Sequence, residues 1–227
     1  YILLSIFWGI AIGIQAPNIF TQVAIIEQNT NKILNPIFKS SFSIGFIIGG
    51  GLSSICVGIN IPPILTTFVI GCFVFSSTIS MFFFGLKKKY DIKNNEPAFI
   101  FPSFKIIVFA SINMLIFATM GIIIQWSPLW LVKDLYAPLY MIGSIVILFN
   151  IGEIISNFYC SKLINLFNER IVGPYFAMVG SAILFLSLLS QNIYIIYISI
   201  ILFGFLISNV MPIIYRQSVQ NSPHPIP

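Results

Sequence analysis

The sequence predicts an all-α membrane protein, a polytopic bundle of about seven transmembrane helices. The chain has 227 residues, of which 58% are hydrophobic and only 7% are charged, whereas soluble domains carry about 25% charged residues. Seven stretches reach the roughly 20 apolar residues that a helix needs to cross a bilayer. Connectors rich in Lys and Arg also alternate along the chain with connectors that have few or none. These observations exclude an ordinary soluble globule, a disordered chain and a coiled coil.

The predicted spans follow one another along the whole chain, separated by polar connectors. They cover residues 1–26, 37–59, 61–86, 104–126, 139–160, 172–190 and 193–214. The longest connector follows the third span, and its lysines, acidic residues and prolines are typical of a solvated linker. The chain therefore divides into a three-helix group (1–86), a cytoplasmic linker (87–103) and a four-helix group (104–227).

Orientation follows from the basic residues. We assign Lys32 and Lys39 to the first connector, and every other basic residue except Lys133 lies in the third or fifth connector or after the last span. Connectors rich in Lys and Arg face the cytoplasm. The pattern predicts a multi-pass protein of the cell (inner) membrane, with residue 1 outside and the C-terminal end in the cytoplasm.

Two predicted spans carry a row of polar side chains along one helical face. The spacing i, i+3, i+7 places three side chains on the same side of a helix. The first row is Gln15, Asn18 and Gln22, and the second is Asn150, Glu153 and Asn157. Polar side chains at membrane depth face a bundle interior or a cavity. The rows indicate either a hydrated path for a solute or hydrogen bonds between helices.

Glu153 is the acidic residue that lies well inside a predicted span, about seven residues or roughly 10 Å from its cytoplasmic end. Intramembrane carboxylates serve in proton relays, so protons are a candidate coupling ion. A structural polar contact and the wall of a wet cavity are the alternatives. Asn113, Gln125 and Asn209 add candidate hydrogen-bonding groups. Pro212 follows Asn209 closely and predicts a bend with freed carbonyls.

Glycines four residues apart predict close packing between helices. Gly9 and Gly13 form one such pair, and Gly45 and Gly49 form another, which Gly50 and Gly51 follow. Small residues at this spacing allow membrane helices to approach closely, so they indicate packing and carry no information about function.

No group of residues suggests catalysis or metal binding. His224 lies in a Pro-rich tail, and the three cysteines lie in apolar segments without metal-ligand spacing. An enzyme would need a nucleophile with a base, paired acids or metal ligands. We therefore expect no enzymatic activity, no cofactor and no metal. The net charge of +5 fits membrane orientation better than nucleic-acid binding.

Several segments together resemble transporters of the major facilitator superfamily. Residues 8–13 (WGIAIG) resemble part of the family's fourth helix, and residues 42–45 (FSIG) resemble part of its fifth helix. The end of its seventh helix, in the sugar-permease-like bacterial branch, resembles QWSPLWL (125–131). Its eighth helix and following loop resemble residues 149–170, and its tenth helix resembles GFLISNVMP (204–212). The resemblance covers essentially the whole chain in order.

This resemblance implies a partial major-facilitator fold, a fragment that covers helices four to ten and is not expected to transport alone. It implies a secondary active transporter that moves a small polar solute, sugar-like solutes among the candidates, by alternating access. Its partners would be the lipid bilayer, the solute and, as a candidate, protons. The candidate solute-binding residues are Gln15, Asn18, Gln22, Asn113, Gln125, Asn150, Glu153 and Asn209.

The chain also departs from the family pattern. Ser161 stands where the family has an Asp, and Asn157 stands where related transporters often carry a basic residue. These departures bring the gating ion pairs and proton coupling into question and suggest a divergent or decaying gene. The alternatives are a seven-helix receptor, whose topology the spans share, and a non-transporting membrane scaffold.

Overall fold

The computed structural model describes residues 35–84 and 103–214 except position 212, together with residues 3, 6, 7, 9–11, 13, 14, 22, 23 and 26 of the first predicted span. The described residues form helices joined by short turns, without a strand among them. This confirms the all-α class for that part of the chain. Residues 85–102, which contain nearly all of the predicted linker, lie outside it, as do Gln15 and Asn18.

Seven helices are complete enough to be numbered. They are α1 (Asn35–Gly58), α2 (Pro63–Phe84), α3 (Phe104–Lys133), α4 (Ser144–Phe167), α5 (Glu169–Val172), α6 (Pro174–Leu189) and α7 (Ile193–Ile207), with a 3-10 turn (Leu139–Met141) before α4. The turn Ser208–Asn209 follows α7, and residues 210, 211, 213 and 214 are helical again.

Five segments of the described chain are long and apolar enough to cross a membrane. They are Ile37–Gly58, Pro63–Ser80, Phe104–Lys133, Leu139–Cys160 and Glu169–Leu189. The last predicted span is interrupted, because α7 is an apolar helix of only 15 residues. The fold is therefore that of a multi-pass membrane protein, whereas the count of seven spans stays a prediction.

Local sequence explains where these helices end and begin. Asn60, Asn168 and Gln191 have φ angles of 59°, 68° and 50°, in the left-handed region that Asn in particular tolerates at helix ends. Proline occupies the first position of α2 and α6, where its missing N–H has no helical partner to lose. Asn192 caps α7 by accepting hydrogen bonds from the N–H groups of residues 194 and 195.

Two helices extend beyond their predicted ends. α3 continues past Pro128 to Lys133, and Ser127 hydrogen-bonds to a carbonyl of the preceding turn. α4 continues past Cys160 to Phe167, because helical hydrogen bonding persists after hydropathy falls. Glu153 therefore lies near the middle of α4, while the apolar segment Leu139–Cys160 has the predicted bounds.

α4 is the centre of the bundle. It packs most extensively against α7 and α1, and less against α3, while α7 also packs on α6. Glycine permits the closest approach, because a Cβ at Gly152 would overlap the carbonyl oxygen of Ile201 and one at Gly204 would overlap that of Phe149. The rings of Phe149 and Phe203 lie beside this contact with centroids 6.1 Å apart. By contrast, α2 contacts only the neighbouring α1 to any extent and exposes most of its described side chains.

Candidate functional site

A buried ion pair joins α1 to α4. Lys39 Nζ lies 3.6 Å from Glu153 Oε1, and the two side chains are 12% and 4% exposed. An unpaired charge at membrane depth is costly, and such residues normally pair inside a bundle. The pair therefore places opposite charges side by side in the interior and connects α1 to α4.

Hydroxyl and amide groups extend this pair into a polar cluster, which we define as Lys39, Ser43, Glu153, Asn157 and Ser208. Ser43 donates to Glu153 Oε2 at 3.0 Å. Lys39 Nζ donates to the carbonyl and to the hydroxyl of Ser208, at 3.0 and 3.2 Å. The Ser208 hydroxyl then donates to Asn157 Oδ1 at 3.1 Å. The cluster thus ties α1 and α4 to the turn after α7.

The carbonyl of Ser208 is available to Lys39 for a reason visible in the sequence. In a continuing helix this carbonyl would accept from the N–H of residue 212. Residue 212 is proline, which has no N–H to donate. The Ser208 carbonyl therefore lacks a helical donor at position 212, and a charged donor from α1 satisfies it. The freed carbonyl predicted before Pro212 is thus a part of the cluster.

Several buried polar atoms in this region have no hydrogen-bond partner within the described part of the chain. They are Asn150 Oδ1, Glu153 Oε1, Ser156 Oγ, Asn157 Nδ2 and both amide atoms of Asn209. Asn209 is completely buried, with 0% of its surface exposed. Leaving a buried polar group unpaired costs about 1–3 kcal/mol. Unsatisfied groups in native proteins commonly mark a bound water, an ion or a functional site.

Three of the predicted site residues, Glu153, Asn150 and Asn209, lie in or near this region, as does Asn157 of the second polar row. Glu153 and Asn157 belong to the polar cluster, and Asn150 lies on the same helix, donating through Nδ2 to the carbonyl of Val146 at 2.8 Å. Asn209 lies in the turn after α7, next to Ser208. Asn150, Glu153 and Asn157 are buried, as the predicted inward face of the fifth span requires, and Asn209 of the last span is buried as well.

The other predicted site residues are not drawn into the cluster by any described contact. Gln125 is exposed on α3, and Asn113 is half-buried with its Oδ1 unpaired. Gln22 is helical and half-buried, whereas Gln15 and Asn18 lie outside the described residues. The structure therefore supplies a geometry for the second polar row and none for the first.

Lys39 is the functional residue whose sequence-based assignment is wrong. We placed it in the first connector with Lys32, but α1 begins at Asn35 and includes it. The error arises because basic residues near a span end usually belong to a loop. Lys39 and Ser43 are four residues apart and so share a helical face, which is the signal that could have revealed the site.

The chemistry open to this cluster is ion pairing, hydrogen bonding and proton exchange. Within the part of the chain that the structure describes, no three His, Cys, Asp or Glu residues are close enough to share a metal ion. Comparison with protein-family models, curated proteins and solved structures gives no match. The helices define a multi-pass membrane protein, and the cluster defines a buried charged site between α1, α4 and the turn after α7.

Proposed function

We propose that this chain belongs to a secondary active transporter, which moves a small polar solute by alternating access. The observation that carries the proposal is the buried Lys39–Glu153 pair, which joins α1 of the first helix group to α4 of the second. Intramembrane charges are rare and usually mark substrate or ion pathways. In transporters built from two halves, the solute site lies where the halves meet.

The pair has the energetics of a reversible gate. Buried ion pairs add little net stability, because desolvation offsets most of their attraction. If the helix groups separate and water enters, both charges regain hydration. The remaining cross-group contacts of the cluster are likewise hydrogen bonds that water can replace. Opening at this point therefore costs less than separating an apolar contact of the same size.

The unpaired amides support a polar, uncharged solute. Among the described residues, Asn157 Nδ2 has no acceptor, and the amide of Asn209 has neither a donor nor an acceptor partner. Hydroxyl groups of a sugar-like solute both donate and accept, so amides match them well. In the conformation described here the amides are buried, which corresponds to a closed site. The same atoms would be satisfied by solute or water after opening.

The finer features of the proposal rest on the family resemblance. In a major-facilitator arrangement, α1 and α2 would be the fifth and sixth helices, and α3, α4, α6 and α7 would be the seventh to tenth. The chain would lie in the cell (inner) membrane with its first residue outside and its C-terminal end in the cytoplasm. Glu153 would exchange protons when Lys39 moves away, which makes protons the proposed coupling ion.

A non-transporting scaffold or receptor is the second candidate, and one observation favours it. The backbone contacts at Gly152 and Gly204 lock α4 and α7 together. α1 approaches the start of α4 as closely, because a Cβ at Gly143 would overlap the carbonyl oxygen of Gly50. If these contacts are permanent, the polar cluster is a structural tie. The two functions differ in whether α1 moves relative to α4.

Solute uptake tests the proposal. Cells expressing the complete reading frame that contains this chain are supplied with labelled sugars, polyols and amino acids, and accumulation is compared with vector-only cells. We expect one polar class to accumulate. We expect Glu153→Gln to reduce uptake about tenfold, since a hydrogen bond to a charged group contributes about 1.5–3 kcal/mol.

The matched control is Glu169→Gln, which removes a carboxylate at α5, outside the polar cluster, and should retain uptake. Membrane levels of each variant are measured by immunoblot. Absence of uptake of every class despite normal membrane levels would contradict the proposal, as would wild-type uptake by Glu153→Gln.

A further inference from the structure

A groove lies between α3 and α6, away from the polar cluster. Its volume is about 610 Å³, within the range of about 300–1,000 Å³ that small-molecule sites occupy. Its walls are almost entirely apolar and include Trp126, Leu129 and Trp130 of α3 and Leu184 and Leu188 of α6. Two charged residues lie at one end of the groove, Lys133 at the end of α3 and Asp134 directly after it.

The length of α3 fixes the depth of this charged end. Lys105 and Lys133 lie near opposite ends of the helix, and the rise between them is about 42 Å at 1.5 Å per residue. A bilayer with its headgroup regions is about 40–45 Å thick. Lys133 and Asp134 therefore lie at headgroup level on one side, and the apolar walls extend from there into the acyl-chain region. Trp130 and Trp126 lie about one and two helical turns below, near the interface where Trp is enriched.

The two charges are available to a ligand. Lys133 and Asp134 are both exposed, and neither side chain has a hydrogen-bond or ion-pair partner among the described residues. An ammonium binds phosphate and a carboxylate binds an ammonium group through charge-assisted hydrogen bonds. Adjacent charges of opposite sign thus match a zwitterionic headgroup that bears both a phosphate and a primary amine.

We propose that this groove binds one phospholipid with an ethanolamine headgroup. The phosphate contacts Lys133, the ammonium contacts Asp134, and an acyl chain lies along the tryptophans. A choline headgroup cannot donate the hydrogen bond to Asp134, because its nitrogen carries no hydrogen. An anionic headgroup without an amine would face the carboxylate of Asp134 unfavourably. The site is independent of the proposed transport.

Quenching of tryptophan fluorescence by brominated acyl chains tests this inference. The full chain with Trp8→Phe, whose remaining tryptophans are Trp126 and Trp130, is reconstituted into phosphatidylcholine bilayers. Brominated phosphatidylethanolamine, phosphatidylcholine or phosphatidylglycerol is then added at low mole fraction. We expect phosphatidylethanolamine to bind about fivefold more tightly than phosphatidylcholine, the upper range for an exposed ion pair.

Substitutions of Asp134 and Lys133 test whether the preference for phosphatidylethanolamine arises in the groove, and Glu169→Gln is the control. Asp134→Asn should bring the ratio of phosphatidylethanolamine to phosphatidylcholine binding close to one, whereas Glu169→Gln should leave it unchanged. Lys133→Gln should weaken both lipids. Circular dichroism confirms that each variant keeps its helices. Equal quenching by all three lipids, stronger quenching by phosphatidylglycerol, or an unchanged preference in Asp134→Asn would overturn the inference.

Discussion

Lys39 donates a hydrogen bond of 3.0 Å to the backbone carbonyl of Ser208, the acceptor that proline at position 212 leaves without its helical donor. A defect in one helix is therefore satisfied by a charge from another. Because the donor is an ammonium group, this bond is stronger than the backbone bond that it replaces. The same ammonium group pairs with Glu153, so the irregular end of α7 and the charge in α4 depend on one lysine.

The first prediction concerns the ion pair itself. Lys39→Met should destabilise the protein by about 3–5 kcal/mol, because it leaves Glu153 charged and unpaired in the interior. The double variant Lys39→Met with Glu153→Leu should recover most of that loss, since an apolar pair needs no desolvation. Denaturant unfolding in detergent micelles provides the measurement. If the loss of unfolding free energy in the double variant equals the sum of the losses in the two single variants, the two charges do not interact.

The second prediction compares two serines of α1. Ser43→Ala should destabilise the protein by about 1.5–3 kcal/mol, because Ser43 hydrogen-bonds to the buried carboxylate of Glu153. Ser41→Ala should change stability by no more than about 0.5 kcal/mol, because Ser41 is exposed and bonds to its own helix. Thermal unfolding of both variants under one condition checks the difference. Equal effects would place Ser43 outside the cluster.

The third prediction addresses the contact between α4 and α7. Gly152→Ala and Gly204→Ala should each destabilise by about 1–3 kcal/mol or more, since the added methyl overlaps backbone of the facing helix. Gly49→Ala is the control, because no atom lies within 4 Å of the added carbon. Unfolding in micelles is again the readout. A destabilising Gly49→Ala beside a neutral Gly152→Ala would refute this packing.

The fourth prediction concerns Ser208 and Asn157. Ser208→Ala should cost about 1–3 kcal/mol, because Asn157 then loses its only described donor and becomes an unpaired buried amide. Adding Asn157→Leu should restore part of the stability by removing that amide. The measurement is a double-mutant cycle from chemical denaturation. A further loss in the double variant would mean that Asn157 has another partner.

The helices were predictable because hydropathy and backbone hydrogen bonding act locally. The inward face of α4 was predictable for the same reason, since Asn150, Glu153 and Asn157 follow helical spacing. Close packing was not predictable from glycine spacing. A Cβ added at Gly45 or Gly49 would meet no atom within 4 Å, whereas their neighbour Gly50 lies against Ile147 of α4. The isolated Gly152 and Gly204 face backbone of another helix. Close approach depends on which residues of the facing helix lie opposite a glycine, and the sequence pattern of one helix does not reveal them.

The hydroxyl groups of the site were hidden for a different reason. Most described Ser and Thr side chains with a hydrogen bond donate to their own helix, as Thr67 and Ser76 of α2 do. Such bonds need no tertiary partner. Ser43 differs because α4 places the carboxylate of Glu153 opposite it. Ser208 differs because α1 places the ammonium group of Lys39 opposite it. Lys39 was missed likewise, because its partner Glu153 lies far along the chain.

The distance between α1 and α4 in a lipid bilayer is the measurement that bears most directly on the proposed gate. Spin labels replace the exposed side chains of Ile37 and Leu166 in a cysteine-free background, and pulsed electron paramagnetic resonance gives the distribution of distances in nanodiscs. For a gate, Glu153→Gln should add a second, longer distance that the wild type populates weakly. A single unchanged distance in both proteins would contradict a gate and make the Lys39–Glu153 pair a fixed structural tie.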